Sequence, residues 1–149
     1  MRKQIISFTK YDPKYAEQTV QMWRESKENA IGQKEIHSFE NQLNFLNTIL
    51  ANQFQIHLAL MDHKVVGMIA YNDTEIHQLY IHLDYQGIGI GKTLLDKAKR
   101  NSNGRLTLYT FEVNEKAQRF YEKYGFKVIG RGCENEENLA DILYEWKSN

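Results

Sequence analysis

Gln86-Gly87-Ile88-Gly89-Ile90-Gly91-Lys92-Thr93 is the stretch whose residue types and spacing best suit chemistry, and that chemistry is the holding of an anion. It follows an apolar run from Ile76 to Leu83 and opens a helical pattern with Leu94, Leu95 and Ala98 on one face. Glycine permits a tight turn and a close approach of backbone to ligand. The N–H groups of a helix's first turn point at negative charge, and the helix dipole reinforces them. The expected guest is a phosphate or pyrophosphate. A mononucleotide loop reads G-x-x-x-x-G-K-S/T; Gly91-Lys92-Thr93 fits its end, but Gln86 stands where its first glycine belongs. A dinucleotide fingerprint, G-x-G-x-x-G, is met by Gly87 and Gly89 and broken at Lys92. A third pattern, Q/R-x-x-G-x-G/A, is met throughout by Gln86, Gly89 and Gly91. Alone, the stretch is also compatible with an ordinary strand-to-helix turn.

Two further groupings carry reactive side chains. Glu75 and His77 share a strand face by alternation, and either can take a proton, the imidazole with an ordinary pKa close to neutral. A solvated strand residue is the plain reading of each. Asn114-Glu115-Lys116-Ala117-Gln118-Arg119-Phe120-Tyr121-Glu122-Lys123-Tyr124-Gly125-Phe126 begins with a capping residue and sets Ala117, Phe120, Tyr121 and Tyr124 at helical spacing. This segment resembles the N-x-x-A-x-x-F/L-Y-x-x-x-G-F run of the GNAT superfamily of acetyl-CoA-dependent N-acetyltransferases. The third glycine pattern is similar to the pyrophosphate loop of the same superfamily. The likeness covers roughly residues 54 to 131 and reaches the first 50 by element order alone.

The resemblance implies direct transfer of acetyl from acetyl-CoA to an amine. It places Gln86, Gly87, Ile88, Gly89, Ile90, Gly91 and Lys92 at the pyrophosphate. Backbone groups of Leu79, Tyr80 and Ile81, on a splayed strand, would meet the pantetheine and the oxyanion. Asn114 corresponds to an asparagine near the cofactor's sulfur, while local sequence makes it a helix cap, and one residue can do both. Tyr121 matches the general acid, against a plain reading as a core aromatic. A glutamate falls at the position of Glu75 in histone-acetyltransferase-like members, so Glu75, acting through a water, is the expected base, with His77 as the alternative. Tyr109 stands where some ribosomal-protein acetyltransferases carry theirs, so that arrangement is absent. The run from Arg131 to Trp146 also looks like a subset of bacterial members, and its acids could meet a cationic amine; a solvated loop is the alternative.

These groups need elements to hold them. Ile5, Ile6 and Phe8 suggest a strand, and Asp12-Pro13 starts a helix with Ala16, Thr19, Val20 and Trp23 as its buried stripe. Glu28 to Glu35 reads as a loop. Ser38 caps a second helix with Phe39, Leu43, Leu46 and Leu50 inward. Phe54 to Leu60 alternates as a half-buried strand with His57 on the surface. Asp62-His63-Lys64 turns into a strand from Val65 to Tyr71, and Glu75 to Leu83 enters the glycine loop. Strands over Leu106–Phe111, Phe126–Ile129 and Ile142–Trp146 follow, with the helix stopped by Gly125 between the first two. The expected fold class is α/β: a mixed sheet in the order β-α-α-β-β-β-α-β-α-β-β, a single domain over residues 1–149.

Composition narrows the partners. Nineteen basic and nineteen acidic residues balance, which suggests neither a nucleic-acid nor a membrane surface. The one cysteine, Cys133, excludes an internal disulfide and a cysteine-based zinc site; it reads as a passive thiol. His37, His57, His63, His77 and His82 are scattered, so no metal is expected. Met1-Arg2-Lys3-Gln4 leads into a strand rather than a signal peptide, and a cytoplasmic monomer or homodimer is expected. The acceptor is a small-molecule or peptide amine. The same fold without a working base would be a non-catalytic acyl-CoA-binding module, and a nucleotide-binding loop protein is a more distant alternative.

Overall fold

The computed structural model describes residues 5–149; the reading of Met1–Gln4 lies outside them. Strands β1 (Ile6–Lys10), β2 (Gln55–Met61), β3 (Lys64–Tyr71) and β4 (Ile76–Ile81) form an antiparallel sheet in that order. Strands β5 (Arg105–Phe111), β6 (Lys127–Gly132) and β7 (Asp141–Lys147) form a second, ordered β5-β7-β6. The main helices are α1 (Ala16–Ile31), α2 (Phe39–Phe45), α3 (Ile90–Arg100) and α4 (Glu115–Lys123). The element order is the expected one. The mixed sheet opens into two antiparallel halves that meet where Glu75 bridges Thr107 in parallel, with the Thr107 N–H donating to the Thr74 carbonyl at 3.0 Å.

Two apolar clusters flank the first sheet. One joins its inner face to α3 and the second sheet through Ile69, Leu94, Leu95, Leu106 and Ile142. The other packs α1 and the α2 region on the opposite face through Val20, Trp23, Leu46, Leu50, Leu58 and Met68. β2 is therefore buried on both faces from Ile56 to Met61, against the half-buried strand expected from its alternation. His57 is buried with it, not on the surface: its Nε2 lies 3.1 Å from the Tyr71 hydroxyl, which also accepts from Asn101 Nδ2 at 2.9 Å.

Boundaries shift for local reasons. Residues 28–31, expected as loop, complete α1, which ends at Gly32 with φ 71°; the Gly32 N–H donates to the Glu28 carbonyl. A Pro13–Tyr15 3₁₀ turn, capped by Asp12, precedes α1. Ser38 caps α2 as expected, and the helix continues through a wider π turn at Leu46–Leu50 into Ala51–Gln53. β4 is shorter than expected at both ends; Leu83–Tyr85 is a 3₁₀ turn. Among the described residues, no helix is long and apolar enough to cross a membrane.

Candidate active site

Gln86 to Gly89 form the loop between β4 and α3. Gly87 and Gly89 have φ of 80° and 92°, where other residues are strained, and a side-chain carbon on either would meet open space. The first α3 hydrogen bond runs from the Thr93 N–H to the Gly89 carbonyl, so the N–H groups of Ile90, Gly91 and Lys92 have no intrahelical partner. The loop thus has the exposed donors that an anion needs. Its side chains are otherwise engaged. Gln86 donates to the Ile81 carbonyl at 3.0 Å, tying the loop to the end of β4. Lys92 pairs with Asp96 at 2.7 Å, which draws its ammonium along α3.

Beyond the loop, β4 and β5 diverge. The His82 N–H donates to the Val66 carbonyl at 2.8 Å, and Tyr80 lies opposite Met68 on β3. Antiparallel alternation then turns the Tyr80 N–H toward β3 and those of Leu79 and Ile81 toward the opened edge. Of the three residues, Leu79 and Ile81 thus present N–H groups to the opened edge, whereas the Tyr80 N–H is turned to β3 and its residue lines the cavity between the strands. Between the strands lies a cavity of about 60 Å³ lined in part by Leu79, Tyr80, Asn114, Ala117 and Tyr121. Asn114 caps α4 by accepting from the Ala117 N–H at 3.2 Å, so cap and wall are one residue. Tyr121 is 7% exposed, its ring against Phe120, Phe126 and Tyr144. Burial, then the neighbouring Tyr80 phenol, raises its pKa well above that of a free phenol, so it is protonated at neutral pH.

The cavity opens into a cleft of about 1190 Å³ between α1, α2, β4, β5 and the β6–β7 hairpin. His77, Gln78, Tyr80, Tyr109, Thr110 and Phe111 line both spaces. A bulge sets the first of these: Tyr71 pairs with Ile76 and Ala70 with Gln78, leaving His77 as the extra residue. The His77 ring packs 4.8 Å from Phe54 and 6.3 Å from Phe45. The residue keeps an exposed edge, yet burial of the ring lowers its pKa against the opposing pull of Glu75, so the neutral form predominates at neutral pH. Glu75 stands at the bridge between the sheets and does not line either space.

Opposite β4, the hairpin is tied to the α1–α2 connection. Lys27 lies 3.1 Å from both Glu35 and Glu137, and His37 lies 2.6 Å from Glu136. Asn135 holds the hairpin in shape through the Leu139 carbonyl and Asp141. Two acids of the run read either as meeting a cationic amine or as a solvated loop, Glu136 and Glu137, are thus paired within the protein. Lys27, Glu35 and Gln78 were not singled out by sequence reasoning, and no local pattern marks them. Cys133 is exposed at the cleft wall. His82 accepts from the Asp84 N–H in the 3₁₀ turn, and His63 occupies the β2–β3 turn at φ 67°. Among the described residues, no group of three or more potential ligands is placed to hold a metal.

Residues 12–144 match the family model of the acetyltransferase (GNAT) domain, and the chain belongs to that family. It is an N-acetyltransferase by its relatives. The 5-NmdU N-acetyltransferase of Pseudomonas phage PaMx11 is 29% identical over 115 residues, covering 72% of this chain and 81% of the relative. The peptidyl-lysine N-acetyltransferase YjaB of Escherichia coli is 38% identical over 66 residues, 44% of either chain. Among solved structures, the PaiA N-acetyltransferase of Thermoplasma acidophilum in complex with coenzyme A superposes with a TM-score of 0.73 at 25% identity, covering 96% of this chain and 99% of that one.

Proposed function

We propose that the protein transfers acetyl from acetyl-CoA to a primary amine, with the pyrophosphate at residues 86–92, the thioester in the β4–β5 cavity and the amine in the cleft. The observation that carries this reading is the shared wall: six residues line both spaces, so an amine in one meets an acyl group in the other. The relative solved with coenzyme A supports the choice of co-substrate.

His77 takes the proton of the incoming ammonium, being neutral, in the cleft wall and next to the cavity. Glu75, the base expected from resemblance, acts on His77 through its charge. The amine nitrogen attacks the thioester carbon, the C–N bond forms, and the N–H groups of Leu79 and Ile81 receive the developing oxyanion. The C–S bond then breaks, Tyr121 gives its proton to the departing thiolate, and the proton shed by the cationic nitrogen as it becomes the amide returns to the tyrosinate. Asn114 fixes the start of α4 and with it the place of Tyr121.

The cleft is lined by five carboxylates against two permanent cations, Lys27 and Arg131, so its field suits a cationic amine and opposes a polyanion. The peptidyl-lysine activity of one relative falls in that class. The test is a thiol-release assay with acetyl-CoA and a panel of polyamines, lysine peptides, aminoglycosides and 5-aminomethyl-deoxyuridine. Release with a cationic member supports the reading. Binding of acetyl-CoA with no release across the panel would make the protein a non-catalytic acyl-CoA-binding module, and binding of ATP in its place would return the glycine loop to nucleotides.

A further inference from the structure

The bulge that adds His77 to β4 also changes what lies beside it. Adjacent residues on a regular strand face opposite ways. Here His77 and Gln78 both line the cleft, and the Gln78 carboxamide nitrogen stands 3.1 Å from His77 Nδ1. Gln78 is half-buried, and Phe45 and Phe54 flank the imidazole. The ring nitrogen met by Gln78 decides what the other ring nitrogen can do.

A half-turn about the last side-chain bond exchanges the carboxamide's oxygen and nitrogen without changing its shape. With nitrogen inward, Nδ1 accepts, the ring proton rests on Nε2, and Nε2 is only a donor. With oxygen inward, Nδ1–H donates and Nε2 carries the free lone pair. Once Nε2 has taken a proton, both ring nitrogens bear hydrogen, and only the oxygen can face Nδ1–H. A cycle in which His77 accepts and returns a proton is therefore compatible with one orientation throughout.

We infer that Gln78 is a positioning residue for His77: its carboxamide oxygen takes the Nδ1–H hydrogen bond and leaves Nε2 as the basic nitrogen offered to the acceptor amine. This rests on the acetyl-transfer reading above. The charge acting on the ring is that of Glu75, just before β4; Tyr80 on β4, Tyr109 on β5 and, from α1, its connection to α2 and the hairpin, Lys27, Glu35, His37, Arg131, Glu134, Glu136, Glu137 and Asp141 line the same cleft. Phe45 and Phe54, packed on it from α2 and the segment after it, are uncharged.

The pairing is read without turnover from two-bond ¹H–¹⁵N spectra of ¹⁵N-histidine protein across a pH titration, for the parent, Gln78→Glu and Gln78→Leu. The parent's neutral ring should carry its proton on Nδ1. Gln78→Glu, whose carboxylate can only accept, should keep that tautomer and raise the His77 midpoint by about 1 unit or more. Gln78→Leu should release the tautomer preference. With the best amine of the panel, the acid limb of kcat/KM should move with the midpoint in Gln78→Glu, while KM for acetyl-CoA stays near the parent's. A neutral parent ring protonated on Nε2, or a Gln78→Glu variant with midpoint and limb unmoved, overturns the inference. Full thiol release by His77→Ala would also overturn it, by removing the base; failure of every amine alongside a confirmed Nδ1–H tautomer would instead count against the acetyl-transfer reading.

Discussion

Lys27 and Glu137 are 110 positions apart in the chain and 3.1 Å apart in the fold. The same ammonium meets Glu35, whose side chain is only 2% exposed, so a single lysine pairs with two sequestered carboxylates. Lys27→Met leaves both unpaired, and removal of one member of a buried cluster costs more than the intact cluster contributes. The expected loss is about 2–3 kcal/mol in urea unfolding, below the fully buried range because the site is partly solvated. Lys27→Arg should recover most of it. If Lys27→Met unfolds at the parent's midpoint, the cluster does not hold the hairpin.

Gly89 tests the anion loop. Its φ of 92° makes Gly89→Ala strained by about 1 kcal/mol, although no atom blocks the new methyl. A loop that relieves this strain turns its N–H groups away, and the affinity for CoA measured by calorimetry should fall about tenfold or more, equivalent to about 1.4 kcal/mol. Parent-like affinity in the folded variant would move the pyrophosphate elsewhere.

Tyr121→Phe separates acid from packing. The phenylalanine ring retains the contacts with Phe120, Phe126 and Tyr144, so Tm should stay near the parent's. Loss of the proton donor should lower kcat by roughly 10²- to 10⁴-fold with little change in KM for acetyl-CoA. Steady-state kinetics beside a melting curve decides; a fully active variant leaves Tyr121 as a packing residue.

His57 predicts an acid sensitivity. Burial, then Lys97 and Lys10, lowers its pKa below the ordinary value of about 6.5. Between the folded value and about 6.5 the unfolded chain binds more protons than the folded one, so stability rises with pH there. The contribution is complete above about 6.5 and is lost as pH falls through that window. Urea melts from pH 5 to 8 should show a steeper decline for the parent than for His57→Gln. Equal slopes would remove the imidazole as the cause.

Local chemistry made parts of this molecule legible. The glycines at 87 and 89 take positive φ because the loop demands it, and Asn114 caps α4 as its type and position suggest. Such signals act within a few residues. His57 was misread because alternation implies a solvated face, whereas helices cover both faces of β2. The bulge at His77 was invisible because an extra residue shows only against the register of β3. Lys27 and Glu35 carried no mark because their meaning lies in a contact with Glu137, which a distant segment supplies.

The order β5-β7-β6 sets a timetable for synthesis. Strands β1 to β4 can pair successively as they emerge, each with a neighbour already made. The second sheet has to wait, because Asp141–Lys147 is its middle strand and both β5 and β6 bond to it. Until those residues leave the ribosome, β5 lacks its partner and the wall bearing Tyr109, Thr110 and Phe111 is unformed. A nascent chain can therefore expose the glycine loop before the wall shared by the cavity and the cleft has formed.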